Sequence, residues 1–238
     1  MHDMTDDMRL AALLAAEKKA EALFHAIEVD GLIAPGRSER DIERDIFALA
    51  EKDFGVKTHW HKRIVRAGPN TVAIFSDNPP IRTIGEDDIV FLDLGPVFEE
   101  WEADVGRTYV VGNDPGKAKL CADLAIIFDS LCDHFFTHPD ITGAALYDEA
   151  VRLAEAAGWL FGGQIAGHLV GEFPHARIPG DKDHYRISPA NPTRMHDPDG
   201  DGRRKNWIIE VHLTDREKRF GGFYERLAVP TGADTGSR

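Results

Sequence analysis

Cysteine is scarce in this chain: its 238 residues include two, Cys121 and Cys132. Both fall in a stretch with helical spacing, where eleven residues separate them by roughly 16 Å along the axis, too far for a disulfide. They read as two buried thiols in a reducing compartment. No run of eighteen apolar residues occurs, so the sequence offers no transmembrane helix. The opening MHDMTDDMRLAALLAAEKKAEALF is acidic, then amphipathic, and lacks the basic start and small-residue cleavage site of a signal peptide. A cytoplasmic location is the resulting expectation. Positive charge is short as well. Lys and Arg number 28 against 41 Asp and Glu, for a net charge of −13 and a pI near 5.2. That balance argues against a nucleic-acid partner, whose phosphates need a basic face.

Apolar residues make up 42% of the chain, enough to bury a sizeable core. The reading is a single catalytic-type domain over residues 1–238, ordered from about residue 5 to about residue 230, with a disordered tail PTGADTGSR. Leu and Ala recur at helical spacing from Thr5 to Asp30. A second helix has Ser38 as its N-cap, Ile42, Ile46 and Leu49 on one face, and Gly55 as its stop. RIVRAGPNTVAIF reads as a strand, a turn and a short strand. DDIVFLDLGPVF and EADVGRTYVVG read as a strand pair. Helices follow from Pro115 to Thr137 and over ITGAALYDEAVRLAEAAG, the latter capped by Thr142 and ended by Gly158. Short β-like pieces, a polar loop over 180–206 and a last strand pair, NWIIEVHLTD and GGFYERLAVP, complete the chain. The block of capped helix followed by acid-bearing strands occurs twice, a hint of internal pseudo-symmetry. Helices and antiparallel strands in segregated runs indicate an α+β fold.

Each strand pair carries two acids after apolar runs. A hairpin centred on Phe98 and Glu99 sets Asp93 opposite Asp104; one centred near Glu217 and Lys218 sets Glu210 opposite Glu225. Opposed side chains lie about 5 Å apart on one face, where like charges destabilise a sheet. Something positive is needed between them. Four carboxylates with an imidazole are what Mn, Fe, Co or Zn accept, and two divalent ions would neutralise them and activate a shared water. The stretch GHLVGEFPHARIP supplies His168, with glycines nearby that allow close backbone approach, and His175.

Together these residues resemble the methionine aminopeptidase, Xaa-Pro aminopeptidase (prolidase) and creatinase family. The resemblance covers nearly the whole chain and implies the pita-bread fold, a pseudo-symmetric antiparallel sheet with helices on its outer face. It also implies a bare catalytic domain without the extra N-terminal domain of prolidase-like members. The metal-ligand positions are filled by Asp93 in FLDLG, Asp104 in EADVGRT, His168 in GHLVG, Glu210 in WIIEV and Glu225 in GGFYERLAV. By that resemblance Asp104 and Glu225 bridge two ions, Asp93 holds one, and His168 and Glu210 hold the other. A metal-bound hydroxide is the nucleophile, Glu210 the proton shuttle, and His175 contacts substrate and the developing oxyanion. Arg107 and Thr108 match an Arg-Thr that often follows the second Asp.

The sequence also departs from the family. In NTVAIF, Phe75 occupies the place of a histidine that contacts substrate. Ala176 stands where Glu usually follows the second histidine, and Val211 where Pro usually follows Glu210. His212 shares the strand face of Glu210 and is a candidate replacement imidazole. His59 and His61, in THWHK, share a face if extended and belong at the pocket mouth, with Phe75, His61 and His212 as substrate-binding candidates. MHDPDGDGRR begins like an EF-hand loop, but Ile208 takes the position of the required acid, so a turn-rich loop or lid is expected rather than a calcium site. The expected function is hydrolysis of an amide or peptide C–N bond in a short peptide or small molecule, with no membrane partner. Related small members point to a homodimer as one assembly. Two rival readings are a pita-bread recognition module without catalysis and a dinuclear metal enzyme of oxidative chemistry.

Overall fold

Four short polar side chains start the four helices of the computed structural model, which describes residues 4–170 and 182–230. Thr5 accepts from the Met8 amide ahead of α1 (Asp6–Val29), and Ser38 from the Asp41 amide ahead of α2 (Glu39–Phe54). Asp114 accepts from the Gly116 and Lys117 amides ahead of α3 (Pro115–Thr137), and Thr142 from the Ala145 amide ahead of α4 (Gly143–Ala157). Each such cap is worth about 1 kcal/mol. Gly55 and Gly158 end α2 and α4 in the left-handed conformation that their lack of Cβ permits. No helix among the described residues is long and apolar enough to cross a membrane.

The strands are β1 (Ile64–Ala67), β2 (Asp88–Leu94), β3 (Val97–Phe98), β4 (Trp101–Glu102), β5 (Val105–Val111), β6 (Leu160–Phe161), β7 (Gly167–Leu169), β8 (Trp207–Thr214) and β9 (Gly221–Leu227). They form an antiparallel sheet in the order β1-β2-β5-β9-β8-β6, with β7 also pairing β8, while β3 and β4 make a separate ribbon. Strand alternation divides this sheet into two faces. Val90, Leu92 and Leu94 of β2 and Val105 of β5 pack with Leu23, Ile27, Ile42 and Ile46 of α1 and α2. Ile209, Val211 and Leu213 of β8 pack with Leu120, Leu124 and Leu131 of α3 and with Leu146 of α4. Cys132 is buried in this second cluster, and Cys121 is half-buried and free. The opposite face carries the acids.

Two buried glutamates fasten helices to this frame. Glu17 of α1 accepts from the Leu227 amide at 2.7 Å and from Arg226 Nη2 at 2.9 Å, which ties α1 to β9. Glu39, at the start of α2, accepts from the Ala67 amide at 2.7 Å, Asn70 Nδ2 at 2.9 Å and the Arg82 amide at 2.9 Å. Those bonds hold residues 68–72 as a 3-10 turn, and the short strand expected after it does not form.

The two acid-bearing hairpins differ in how they match expectation. Glu210 does pair with Glu225. Asp93, however, pairs with Gly106 and not with Asp104. The β3–β4 ribbon turns at Glu99, which takes a φ of 60°, and its pairs Val97–Glu102 and Phe98–Trp101 place the centre one residue later than Phe98–Glu99. Moving a hairpin centre by one residue moves every partner by two, so the side chains keep their face.

Candidate metal centre

One row of the sheet organises the site. Asp93 of β2 pairs with Gly106 of β5, Gly106 with Glu225 of β9, and Glu225 with Glu210 of β8. Asp104 precedes β5 and reaches the same place from its end. His168 comes from β7, where Gly167 at a φ of 137° lets the chain lie directly on the Ile208 carbonyl.

Asp104 sits at the centre of the cluster and divides it. Its Oδ2 is 3.1 Å from His168 Nε2, and its Oδ1 is 3.1 Å from His61 Nε2. His61 Nε2 is also 3.4 Å from Asp93 Oδ1. On the other side His168 Nε2 lies 3.6 Å from Glu210 Oε1 and 3.8 Å from Glu225 Oε1. Two metal-competent donor groups result, His61–Asp93–Asp104 and Asp104–His168–Glu225, with Asp104 common to both.

Burial sets the charge state of this cluster. It pushes Asp93 up to about 7, against the pull of His61, and Glu210 up to about 7, against the pull of His168. Glu225 rises well above the usual carboxylate range, through burial and then through Asp104 and Glu210. Asp104 goes the other way: burial opposes its charge, but hydrogen bonds from His168 and His61 outweigh it and lower its pKa. Both imidazoles rise to about 9 because Asp104 and the neighbouring acids outweigh the penalty of burial. Four carboxylates facing two histidines in a low-dielectric pocket is costly unless cations sit among them. The residues fit divalent ions on a direct observation: Glu225 Oε2 is buried and has no hydrogen-bond partner. A buried acceptor in that state costs about 1–3 kcal/mol, which a coordinated ion would remove.

A cavity of about 420 Å³ opens over the carboxylates. Phe91, Phe223 and Ile64 form an apolar cluster on one side, and Ile74, Phe75 and Ile165 also line it, with Arg66 and Arg186 at its polar edge. Phe75 is 54% exposed, lies edge-on to His61 at 5.9 Å and carries Lys62 Nζ over its ring at 4.9 Å.

The sequence candidates divide accordingly. Asp93, Asp104, His168, Glu210 and Glu225 converge on one site. His61 is not at the mouth: its side chain is 7% exposed and lies against Asp93 and Asp104. His59 does not share its direction. It turns towards Phe47, and burial lowers it to about 4. His212 lines the cavity but is held away from the carboxylates by its Nε2–Thr71 carbonyl contact of 2.8 Å, between Phe91 and Phe223. Arg107 lies over the Phe24 ring and pairs with Glu28, and Thr108 exchanges hydrogen bonds with the Phe223 backbone, so neither lines the cavity. His175 and Ala176 lie outside the described residues. In the loop around Asp199, that carboxylate accepts from the Asp201 and Arg203 amides, the pattern of a turn. Sequence reasoning missed Trp60, whose ring stands edge-on to both His61 and His168 at 4.5 and 5.7 Å. It also missed Gly95, where a Cβ would collide with the His61 and Trp60 rings.

An antiparallel sheet with helices on one face and a carboxylate-histidine cluster on the other is the arrangement of the pita-bread fold. The sequence profile of metallopeptidase family M24 (Peptidase_M24) matches residues 8–196, and the chain belongs to that family. Solved structures share the fold. A prolidase from Thermococcus sibiricus superposes with a TM-score of 0.74 at 21% identity, over 97% of this chain and 58% of its own. An Xaa-Pro dipeptidase from Bacillus anthracis gives 0.74 at 19% identity, over 99% and 62%. A methionine aminopeptidase from Thermotoga maritima gives 0.66 at 19% identity, over 92% and 93%. The chain therefore spans about three fifths of the prolidase-type chains and nearly all of the methionine aminopeptidase. No curated protein matches it.

Proposed function

We propose that the chain is a two-ion hydrolase that cleaves the C–N bond of a short peptide or small amide. The observation that carries this reading is the position of Asp104, each of whose oxygens faces a different imidazole and a different set of acids. Asp93, Asp104 and Glu225 would hold one ion; His168 and Glu210, again with Asp104 and Glu225, would hold the second. Mn, Co, Fe or Zn all suit oxygen and imidazole donors. Bound ions would polarise a substrate carbonyl and lower the pKa of an attacking water.

The chain's own groups would do the rest. Glu210 is the most exposed of the four acids, with a side-chain exposure of 14% against 11% for Asp93, 2% for Asp104 and 3% for Glu225. It can therefore carry a proton between the ligand cluster and a substrate nitrogen in the cavity. Phe75, Phe91 and Phe223 would exclude water from one side of the substrate, and Phe75 supplies an apolar wall beside the reacting bond. His175 keeps the oxyanion role that the family resemblance assigns it.

The test is a calorimetric titration of Mn, Co, Zn and Fe(II) into chelator-stripped protein, followed by turnover of Xaa-Pro dipeptides, N-terminal methionyl peptides and simple amides. About two ions per chain, and hydrolysis that needs them, is the expected result. Asp104→Asn should lose both. Full turnover by Asp104→Asn would sink the two-ion mechanism, and oxygen-dependent turnover would replace hydrolysis with oxidative chemistry.

A further inference from the structure

We infer that His61 is a metal ligand, the imidazole of the ion held by Asp93 and Asp104. This rests on the two-ion reading and adds to it a donor that the five expected ligands do not include. Four observations support it.

The first is placement. His61 Nε2 is within 3.4 Å of Asp93 Oδ1 and 3.1 Å of Asp104 Oδ1, and the three donor atoms are close enough together to share one ion. The second is orientation. His61 Nδ1 lies 2.7 Å from the carbonyl oxygen of Lys62, the next residue. A carbonyl only accepts, so Nδ1 carries the hydrogen and Nε2 is left facing the acids. His168 is arranged the same way, with Nδ1 2.8 Å from the carbonyl of Leu169. An imidazole that donates one nitrogen to the backbone and offers the other to a metal is the usual ligating arrangement.

The third observation is that the ring is held in place by the chain itself. The Trp60 amide donates to the Gly95 carbonyl at 2.9 Å, the Val97 amide to the Thr58 carbonyl at 3.0 Å, and Trp60 Nε1 to the Ala103 carbonyl at 3.2 Å. These bonds stitch residues 58–60 to the segment that follows Asp93. Gly95 makes the approach possible, since a Cβ there would come within 2.5 Å of His61 Nε2 and Trp60 Nε1. The fourth is the neighbour. Phe75 packs edge-on to His61 at 5.9 Å and has no donor atom of its own, so His61 is the one imidazole on that side of Asp104 among the described residues. Each ion would then have one nitrogen donor, which moves the Asp93 ion from an all-oxygen preference towards zinc, iron or cobalt.

The experiment is a zinc titration of the full, metal-stripped chain labelled with ¹⁵N-histidine, read by long-range ¹H–¹⁵N correlation. His61→Gln and His168→Gln assign the signals. The expected result is that Nε2 of both histidines shifts to the zinc-bound position as two equivalents are added. In His61→Gln one zinc should still bind through His168, while affinity for the other falls roughly 10- to 100-fold or more. Gly95→Ala, which displaces the ring without removing it, should weaken the same ion. If two zinc ions bind while His61 Nε2 does not move, or if His61→Gln binds both as the wild type does, His61 is no ligand and the two-ion reading stands without it. If no zinc binds and neither histidine shifts, the two-ion reading fails and this inference fails with it.

Discussion

Glu210 and Glu225 face each other as registered partners across β8 and β9, and the buried Oε2 of Glu225 has no hydrogen-bond partner. Ionising both side chains in that relation opposes folding unless a cation lies between them, which is why both are raised above the usual carboxylate range. Glu225→Gln should therefore act in opposite directions on the two forms of the protein. The metal-stripped variant should be more stable than the metal-stripped parent, by about 1–2 kcal/mol. Its metal affinity should be lower. Thermal unfolding with and without chelator, paired with calorimetric titration, checks both signs.

The metal-free protein should lose stability as pH rises across the neutral range. Asp93 and Glu210 sit at about 7 in the folded chain, above their ordinary 3.8 and 4.5. What they contribute is fully present below those ordinary values and is lost as pH rises through 7. His61 and His168 sit at about 9 against an ordinary 6.5, so their contribution is present below 6.5 and lost as pH rises through 9. Asp104, lowered, acts only in acid, where its contribution is lost as pH falls. Added metal should therefore raise the melting temperature more at pH 8 than at pH 5. Loading at pH 6 should release about four protons or more per chain, because Asp93, Glu210, Glu225 and His168 all hold theirs at that pH and must give them up to ligate. Melting curves at the two pH values and proton release in weak buffer test this.

Gly167→Ala should disconnect His168 from the site. Gly167 holds a φ of 137°, and a Cβ there would fall on the Ile208 carbonyl oxygen. The β7–β8 pairing would have to open, at a cost of about 2 kcal/mol or more. Urea unfolding gives that cost. Metal titration of the folded fraction should show the His168 ion weakened while the Asp93 ion still binds.

Glu17→Ala should destabilise the protein by about 2 kcal/mol, because it leaves the Leu227 amide unbonded and takes from Arg226 one of its two carboxylate partners, Glu21 remaining at 2.7 Å. Glu17→Gln, which keeps an acceptor, should cost less. Chemical denaturation of the two variants separates loss of charge from loss of the hydrogen bond.

How far the sequence could be read depended on how local each signal was. Ser38 with Gly55, and Thr142 with Gly158, bounded their helices because caps act within one turn. The Glu210–Glu225 pairing was legible because the turn between them adds no strand of its own. The Asp93 register was not, because Glu99 at positive φ sets the turn one residue beyond the expected centre, and the β3–β4 ribbon carries that centre through to Asp93 and Gly106. The four acids of the site could be named from their spacing along two hairpins, and His168 from the motif that carries the family resemblance. The position of His61 could not, because it depends on Gly95 and Asp104, 34 and 43 residues away along the chain. Alternation along an extended segment would put His59 and His61 on one face; in the fold His61 turns to Asp104 and Gly95 while His59 turns to Phe47.

The strand order carries a consequence for how the molecule is made. β9 lies between β5 and β8, although both of its neighbours precede it in the chain. During synthesis β5 and β8 exist before the strand that joins them, each with an open edge of unpaired amides and carbonyls. Until β9 inserts, the sheet is two separate halves and Glu225 is missing from the cluster, so bound metal would lock the fold only after the halves have been joined. The interval before that insertion is when the nascent chain is most exposed to aggregation by edge pairing.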